Sequence, residues 1–202
     1  MMHVFASACG RFAVSTRAVA AVEFAMILPV LLLLFLSTFD AANGIAIYMK
    51  VRAATFSLAA ITNQYGNGIG ANPIATADMT GITSATAAVL APYSTAPLVM
   101  TVSQIDATSA TAAVVSWSYS VNGTALATGA PFTDLPANIA ANTCGGTYPC
   151  YFVQATVSYT FTPAFGSFLT GPIVLSDSLY VTPRSSQCVV YNGAPSSCAT
   201  GP

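Results

Sequence analysis

Glu23 is the side chain in this sequence with the plainest chemical tension. It is the only charged residue between Ala18 and Phe39, a run of 22 residues otherwise made almost wholly of Ala, Val, Leu, Ile, Met and Phe. A carboxylate at mid-bilayer costs about 2.5–3.5 kcal/mol or more. Two arrangements make it tolerable. It lies six residues past Arg17, near enough to the polar edge to keep some water, or it is neutralised by a positive partner inside an apolar bundle. No catalytic constellation stands beside it. The single histidine, His3, precedes the apolar run, so no Ser-His-Asp or Cys-His pairing is available beyond that run. Asp40, Asp78, Asp106, Asp134 and Asp177 follow no shared spacing. Isolated surface or turn aspartates are expected, rather than a glycosidase-type carboxylate pair. Phosphate-cradling and calcium-binding loop patterns are missing. The expectation is a protein that is not an enzyme and takes no cofactor.

Cysteine is the other reactive type. Cys9 precedes the apolar run, whereas Cys144, Cys150, Cys188 and Cys198 follow it. Four cysteines in an oxidising compartment suggest two disulfides, with three pairings open. Local pairing, Cys144 with Cys150 and Cys188 with Cys198, is favoured because each pair flanks a short loop containing Gly or Pro. A zinc site is disfavoured by the wide spacings, the lack of a C-x-x-C motif and the distance to any histidine.

These residues are positioned by one dominant element. As a helix, Ala18 to Phe39 is about 33 Å long, roughly the hydrocarbon thickness of a bilayer. Three segments follow: a cytoplasmic leader over residues 1–17, a long transmembrane helix over 18–62, and an extracytoplasmic domain over 63–202. Arg11 and Arg17 favour an inside N-terminus, Lys50 and Arg52 pull the other way, and the grouping of cysteines favours the first. A cleaved signal peptide competes for the segment, but its best small-residue exit, Gly44-Ile45-Ala46, comes late. Pro29 removes one backbone hydrogen bond and is expected to kink the helix. Ile45, Met49, Ala53, Phe56 and Ala60 recur at helical spacing, which predicts that the helix continues and packs this face on the domain. Asn63 and the Gly-rich stretch ending at Pro73 stop it.

Beyond that stop, residues 74–91 predict a second helix with Ile74, Ala77, Gly81, Ala85, Ala88 and Val89 as its apolar stripe. Alternation then predicts strands over Leu98–Ile105, Ala112–Val121, Tyr151–Phe161 and Ile173–Val181, with residues 122–149 as loop and the last twenty residues as a tail. Asn122-Gly123 is a hairpin-turn signal. The aromatic residues from Trp117 to Tyr191 are expected mainly as sheet core and cross-strand pairs. The fold class is α+β: a long N-terminal helix, a second helix, and an antiparallel sheet of about four strands.

Composition narrows the function. Of 202 residues only 5% are charged, and the net charge is −1. No basic face is available, so nucleic acid is not an expected partner. A surface of Ala, Thr, Ser, Gly and Asn suits an exported protein or one that packs against copies of itself.

The stretch Arg17-Ala18-Val19-Ala20-Ala21-Val22-Glu23-Phe24-Ala25, followed by Leu28-Pro29 and a leucine run, resembles the N-terminal segment of TadE/TadG-like proteins, the minor pilins or pseudopilins of tight-adherence (Tad) pilus systems. Residues 157–163 bear a weaker likeness to the C-terminal part of such proteins. The resemblance implies that a prepilin peptidase cuts between Ala18 and Val19, four residues ahead of Glu23. A glycine usually precedes that cut, and Ala18 stands in its place. The new α-amine of Val19, from the same or a neighbouring chain, would be the positive partner of Glu23. The implied location is the bacterial inner membrane or the pilus, with the C-terminal domain periplasmic or extracellular. The implied partners are the prepilin peptidase, the inner-membrane assembly platform, other TadE/TadF/TadG-like subunits and the major pilin. The competing function is a membrane-anchored binding or adhesion module that never enters a fibre.

Overall fold

The structure, a computed structural model, describes residues 16–65, 73–184 and 187–192. The expected leader lies outside the described residues except for its last two positions, which belong to helix. Cys9 and Cys198 also lie outside them.

Helix α1 is unbroken from Thr16 to Thr62, 47 residues with Pro29 inside. It contributes to two compact units. One takes in α1 up to Gly44 together with Pro163–Gly171; the other takes in Ile45–Thr162 and the chain from Pro172 on. In the first unit, every residue from Val19 to Phe39 is exposed except the half-buried Leu36.

The second unit is α+β. Helix α2 (Thr76–Ala88) is followed by β1 (Leu98–Ala107), β2 (Ala113–Val121), β3 (Pro131–Phe132), helix α3 (Ala137–Cys144), β4 (Cys150–Phe161) and β5 (Ile173–Val181). The short helix α4 (Ser167–Thr170), in the β4–β5 connection, belongs to the first unit. The sheet has five strands in the order β3-β2-β1-β4-β5, and every neighbouring pair is antiparallel. The strand beyond the expected four is β3. It is two residues long and starts with a proline, which cannot donate to a ladder, so alternation had too little length to show it.

Period-two patterning builds the main core. Leu98, Met100 and Val102 of β1 are buried beside Val153, Ala155, Val157 and Tyr159 of β4, with Met100 opposite Val157 and Val102 opposite Ala155. Ile47, Val51, Ala54 and Leu58 of α1 and Met79 and Ile82 of α2 complete this cluster. Lys50 spans the two helices, its ammonium donating to the Val89 carbonyl at the end of α2 at 3.2 Å, where helix carbonyls concentrate negative charge.

The buried faces of both helices differ from the predicted ones. On α1, Ile45, Met49 and Phe56 are more than half exposed, and the core side is Ile47, Val51, Ala54, Thr55 and Leu58. On α2, Ala77, Gly81, Ala85 and Ala88 are exposed, and Met79, Ile82, Thr83 and Thr86 are buried. The cause is composition. Alanine and threonine occur all round both helices, so an apolar stripe drawn through alanines can be rotated without losing its period. A buried threonine satisfies its hydroxyl on its own helix, as Thr55 does on Val51 at 3.0 Å and Thr83 on Met79 at 2.8 Å.

A bulge splits the sheet into two cores. Gln104 pairs with Trp117 but Ile105 pairs with Val115, so Ser116 is an extra residue in β2. Successive side chains of a strand face opposite ways, and Ile105, Ala107, Ala113, Val115 and Phe152 form a second cluster with Ala140 and Cys144 of α3. This corrects the loop expected over 122–149. Helix α3 is short, rich in Ala and Asn, and ended by Gly145 in the left-handed conformation at φ 58°. Cys144 and Cys150 form a disulfide that ties it to the start of β4, with Cα atoms 5.7 Å apart. Asn122 adopts φ 58° and its amide donates to the Leu98 carbonyl at 2.9 Å, but the chain does not turn straight back; residues 122–130 intervene before β3.

The expected tail is also corrected over its described residues 187–192. Cys188, Val189 and Tyr191 are buried. The Val189 N–H donates to Gln104 Oε1 and the Val189 carbonyl accepts from Trp117 Nε1, both at 2.6 Å. Tyr191 makes a parallel bridge with Ile74, and its ring lies 5.4 Å from Trp117 and 5.9 Å from Tyr119. Trp117, Tyr151, Tyr159 and Tyr191 are buried and Tyr119, Tyr148 and Tyr180 half-buried, so these rings pack on and around the sheet.

Candidate functional site

The candidate site is the apolar length of α1 and the residues that end it. Ala18 and Val19 lie in its first turns, and Val19 is exposed. Glu23 stands one helical turn after Val19 and is exposed among exposed apolar neighbours. Residues four apart share a helix face, and helical side chains lean toward the N-terminus. A chain starting at Val19 would therefore place its amine within reach of the Glu23 carboxylate. Pro29 sits in the middle of the run, and the helix continues through it. Ser37 and Thr38 are the only hydroxyl residues between Ala18 and Phe39. Each donates to a carbonyl one turn back, Leu33 at 2.7 Å and Leu34 at 2.8 Å, so neither needs water.

This helix is the one candidate membrane span among the described residues, by length and hydropathy. Residues 18–59 match the family described as TadE-like protein. The segment is TadE-like. Neither a curated protein nor a solved structure matches the chain. The match covers about a fifth of the sequence, so the strands, including residues 157–163, lie outside the TadE-like segment.

The residue that sequence reasoning passed over is Asp40, immediately after the apolar stretch. Its side chain is buried and accepts three backbone N–H groups from the β4–β5 connection: Ala164 at 3.0 Å, Phe165 at 2.9 Å and Gly166 at 2.7 Å. Phe39 and Phe165 meet edge to face, with ring centroids 5.9 Å apart. Three consecutive backbone donors on one carboxylate require two chain segments 124 or more residues apart. The only sequence sign of this was an acid at the mouth of the apolar run.

The remaining acids serve local structure or stand apart. Asp78 accepts the Ala75 N–H at 3.0 Å and caps α2. Asp134 accepts from Thr133 at 3.2 Å. Asp177 lines an open groove of about 330 Å³ with Met49, Arg52, Ala53, Phe56 and Leu179. Asp106 accepts from Gln104 Nε2 at 3.2 Å. Burial pushes its carboxyl up to about 6, against the downward pull of its hydrogen bonds to Gln104 and Ser116. The folded state thus holds this proton more firmly than the unfolded chain, whose value is near 3.9. The resulting stabilisation is full below about pH 4 and lost as pH rises through 6. With partial solvent access the effect is roughly 1 kcal/mol. Asp106→Asn is expected to flatten this part of the stability profile. Denaturant unfolding of parent and variant at pH 4 and pH 7 checks it: the parent should lose roughly 1 kcal/mol more than the variant on going to pH 7.

Proposed function

We propose that this chain is a structural subunit, a minor pilin or pseudopilin, of a Tad-type pilus, and acts by packing rather than by catalysis. One observation carries the reading: the TadE-like match falls on the one described helix apolar enough to cross a membrane. In this reading residues 18–39 hold the protein in the bacterial inner membrane, N-terminus inside. A prepilin peptidase cuts between Ala18 and Val19, and Glu23 pairs with the new amine of its own or a neighbouring chain. The assembly platform, other TadE/TadF/TadG-like subunits and the major pilin are its partners, and the domain with the Cys144–Cys150 disulfide faces an oxidising compartment. The second reading, a membrane-anchored binding or adhesion module outside any fibre, is favoured by Ala18 standing where a glycine usually precedes the cut.

Fractionation of cells expressing the tagged full chain separates the two. A pilus subunit is expected in both the membrane and the sheared-fibre fraction. Confinement to the membrane with intact fibres present contradicts the subunit reading and supports the anchored module.

A further inference from the structure

We propose that the β4–β5 connection, Pro163–Gly171, is a second membrane contact, a lipid-seated loop that Asp40 fastens to α1 where the helix leaves the bilayer. The inference rests on the reading that residues 18–39 span the membrane. Given that span, the level of the loop follows from chemistry. Asp40 is the first residue past Phe39, and three consecutive loop N–H groups end on its carboxylate. The loop therefore sits at the depth of residue 40, the boundary between hydrocarbon and headgroups. Its contact also reaches back into the apolar stretch: Phe165 packs on Phe39. Leu36, one turn before Asp40 on the same face, is the single residue from Val19 to Phe39 that is not exposed.

The composition of the loop suits lipid. Pro163–Gly171 contains no charged residue. Phe165 is 45% exposed and Phe39 51% exposed, so the edge-to-face pair offers two aromatic rings to whatever surrounds the helix at this depth. Aromatic rings are favoured at the bilayer interface. The arrangement also answers how an aspartate can stand at the end of an apolar run. Its carboxylate is supplied with charge-assisted hydrogen bonds by the loop backbone, and in turn those backbone groups need no water at the interface. The occupant of this surface is the outer interfacial layer of the same bilayer that α1 crosses.

Fluorescence quenching in vesicles tests this with the full chain. Phe165→Trp and Leu31→Trp are introduced separately, both at exposed positions, and the proteins are reconstituted into phosphatidylethanolamine–phosphatidylglycerol vesicles. Lipids brominated near the headgroup or at mid-chain serve as quenchers. Trp117, fully buried, supplies a background that the parent protein measures. The span predicts quenching of Leu31→Trp by mid-chain bromines. The loop contact predicts at least about twofold quenching of Phe165→Trp by headgroup-side bromines, with emission shifted to the blue. Adding Asp40→Ala should cut the Phe165→Trp quenching by at least about half while leaving that of Leu31→Trp unchanged. Quenched Leu31→Trp with unquenched, water-like Phe165→Trp overturns the loop contact and leaves the span intact. Phe165→Trp quenching indifferent to Asp40→Ala overturns the fastening. Unquenched Leu31→Trp overturns both the span and the contact.

Discussion

Trp117→Ala is expected to destabilise the sheet-bearing unit by about 3–5 kcal/mol, a large part of the 5–15 kcal/mol typical of a whole domain. Two losses combine. Trp117 of β2 is fully buried in the main core, its ring 5.4 Å from that of Tyr191, so truncation leaves a cavity the size of an indole. It also removes the donor that holds the Val189 carbonyl at 2.6 Å, and an unsatisfied buried carbonyl costs about 1–3 kcal/mol. Trp117→Phe largely separates the two, since it keeps an aromatic ring in place and gives up the N–H together with the smaller part of the indole volume. Its expected cost is about 1–3 kcal/mol. Because Trp117 is the only tryptophan, unfolding is followed by circular dichroism. Equal stability of parent and Trp117→Ala would contradict the assignment of residues 187–192 to the core.

Glu23→Gln is expected to leave membrane insertion intact and to lower incorporation into sheared fibres by about tenfold or more. Removing a charge from an apolar run eases insertion. Packing is another matter. In a bundle of such helices the amine of Val19 would lose the one carboxylate able to neutralise it, and a loss of only 1.4 kcal/mol is already tenfold. Inside a low-dielectric bundle a paired charge is worth more than that when its partner is removed. Fibre incorporation of Glu23→Gln at the parent level would mean that Glu23 is a tolerated interfacial acid.

The sequence showed most where one signal dominated. The long apolar helix was legible because 22 residues carried a single charge, and β5 was legible to the residue after the loop that ends at Pro172. β1, β2 and β4 were found with ends shifted by one or two residues, as strand ends usually are. What stayed hidden depended on partners far along the chain. Gln104 carries a polar amide in a strand core, and it is wholly buried with Val189, 85 positions away, supplying an N–H to it. The rotation of α1 was lost for a different reason. Phe56 and Met49 are larger than Ala54 and Thr55, but the smaller residues are the buried ones, so size gave no guide to the rotation. At the candidate site, Glu23 and Pro29 were visible as exceptions in an apolar run, whereas the role of Asp40 needed the loop that closes on it.

In the proposed function residues 18–39 are a processed, pilin-type membrane helix with Glu23 serving the new N-terminus. Intact-mass and N-terminal peptide mass spectrometry of the membrane-extracted mature protein tests it most directly. The expected mature chain begins at Val19. A chain that begins at Met1 would leave Glu23 without that amine and make the protein a permanent anchor, and one that begins near Ile47 would remove the helix altogether and contradict the claim outright.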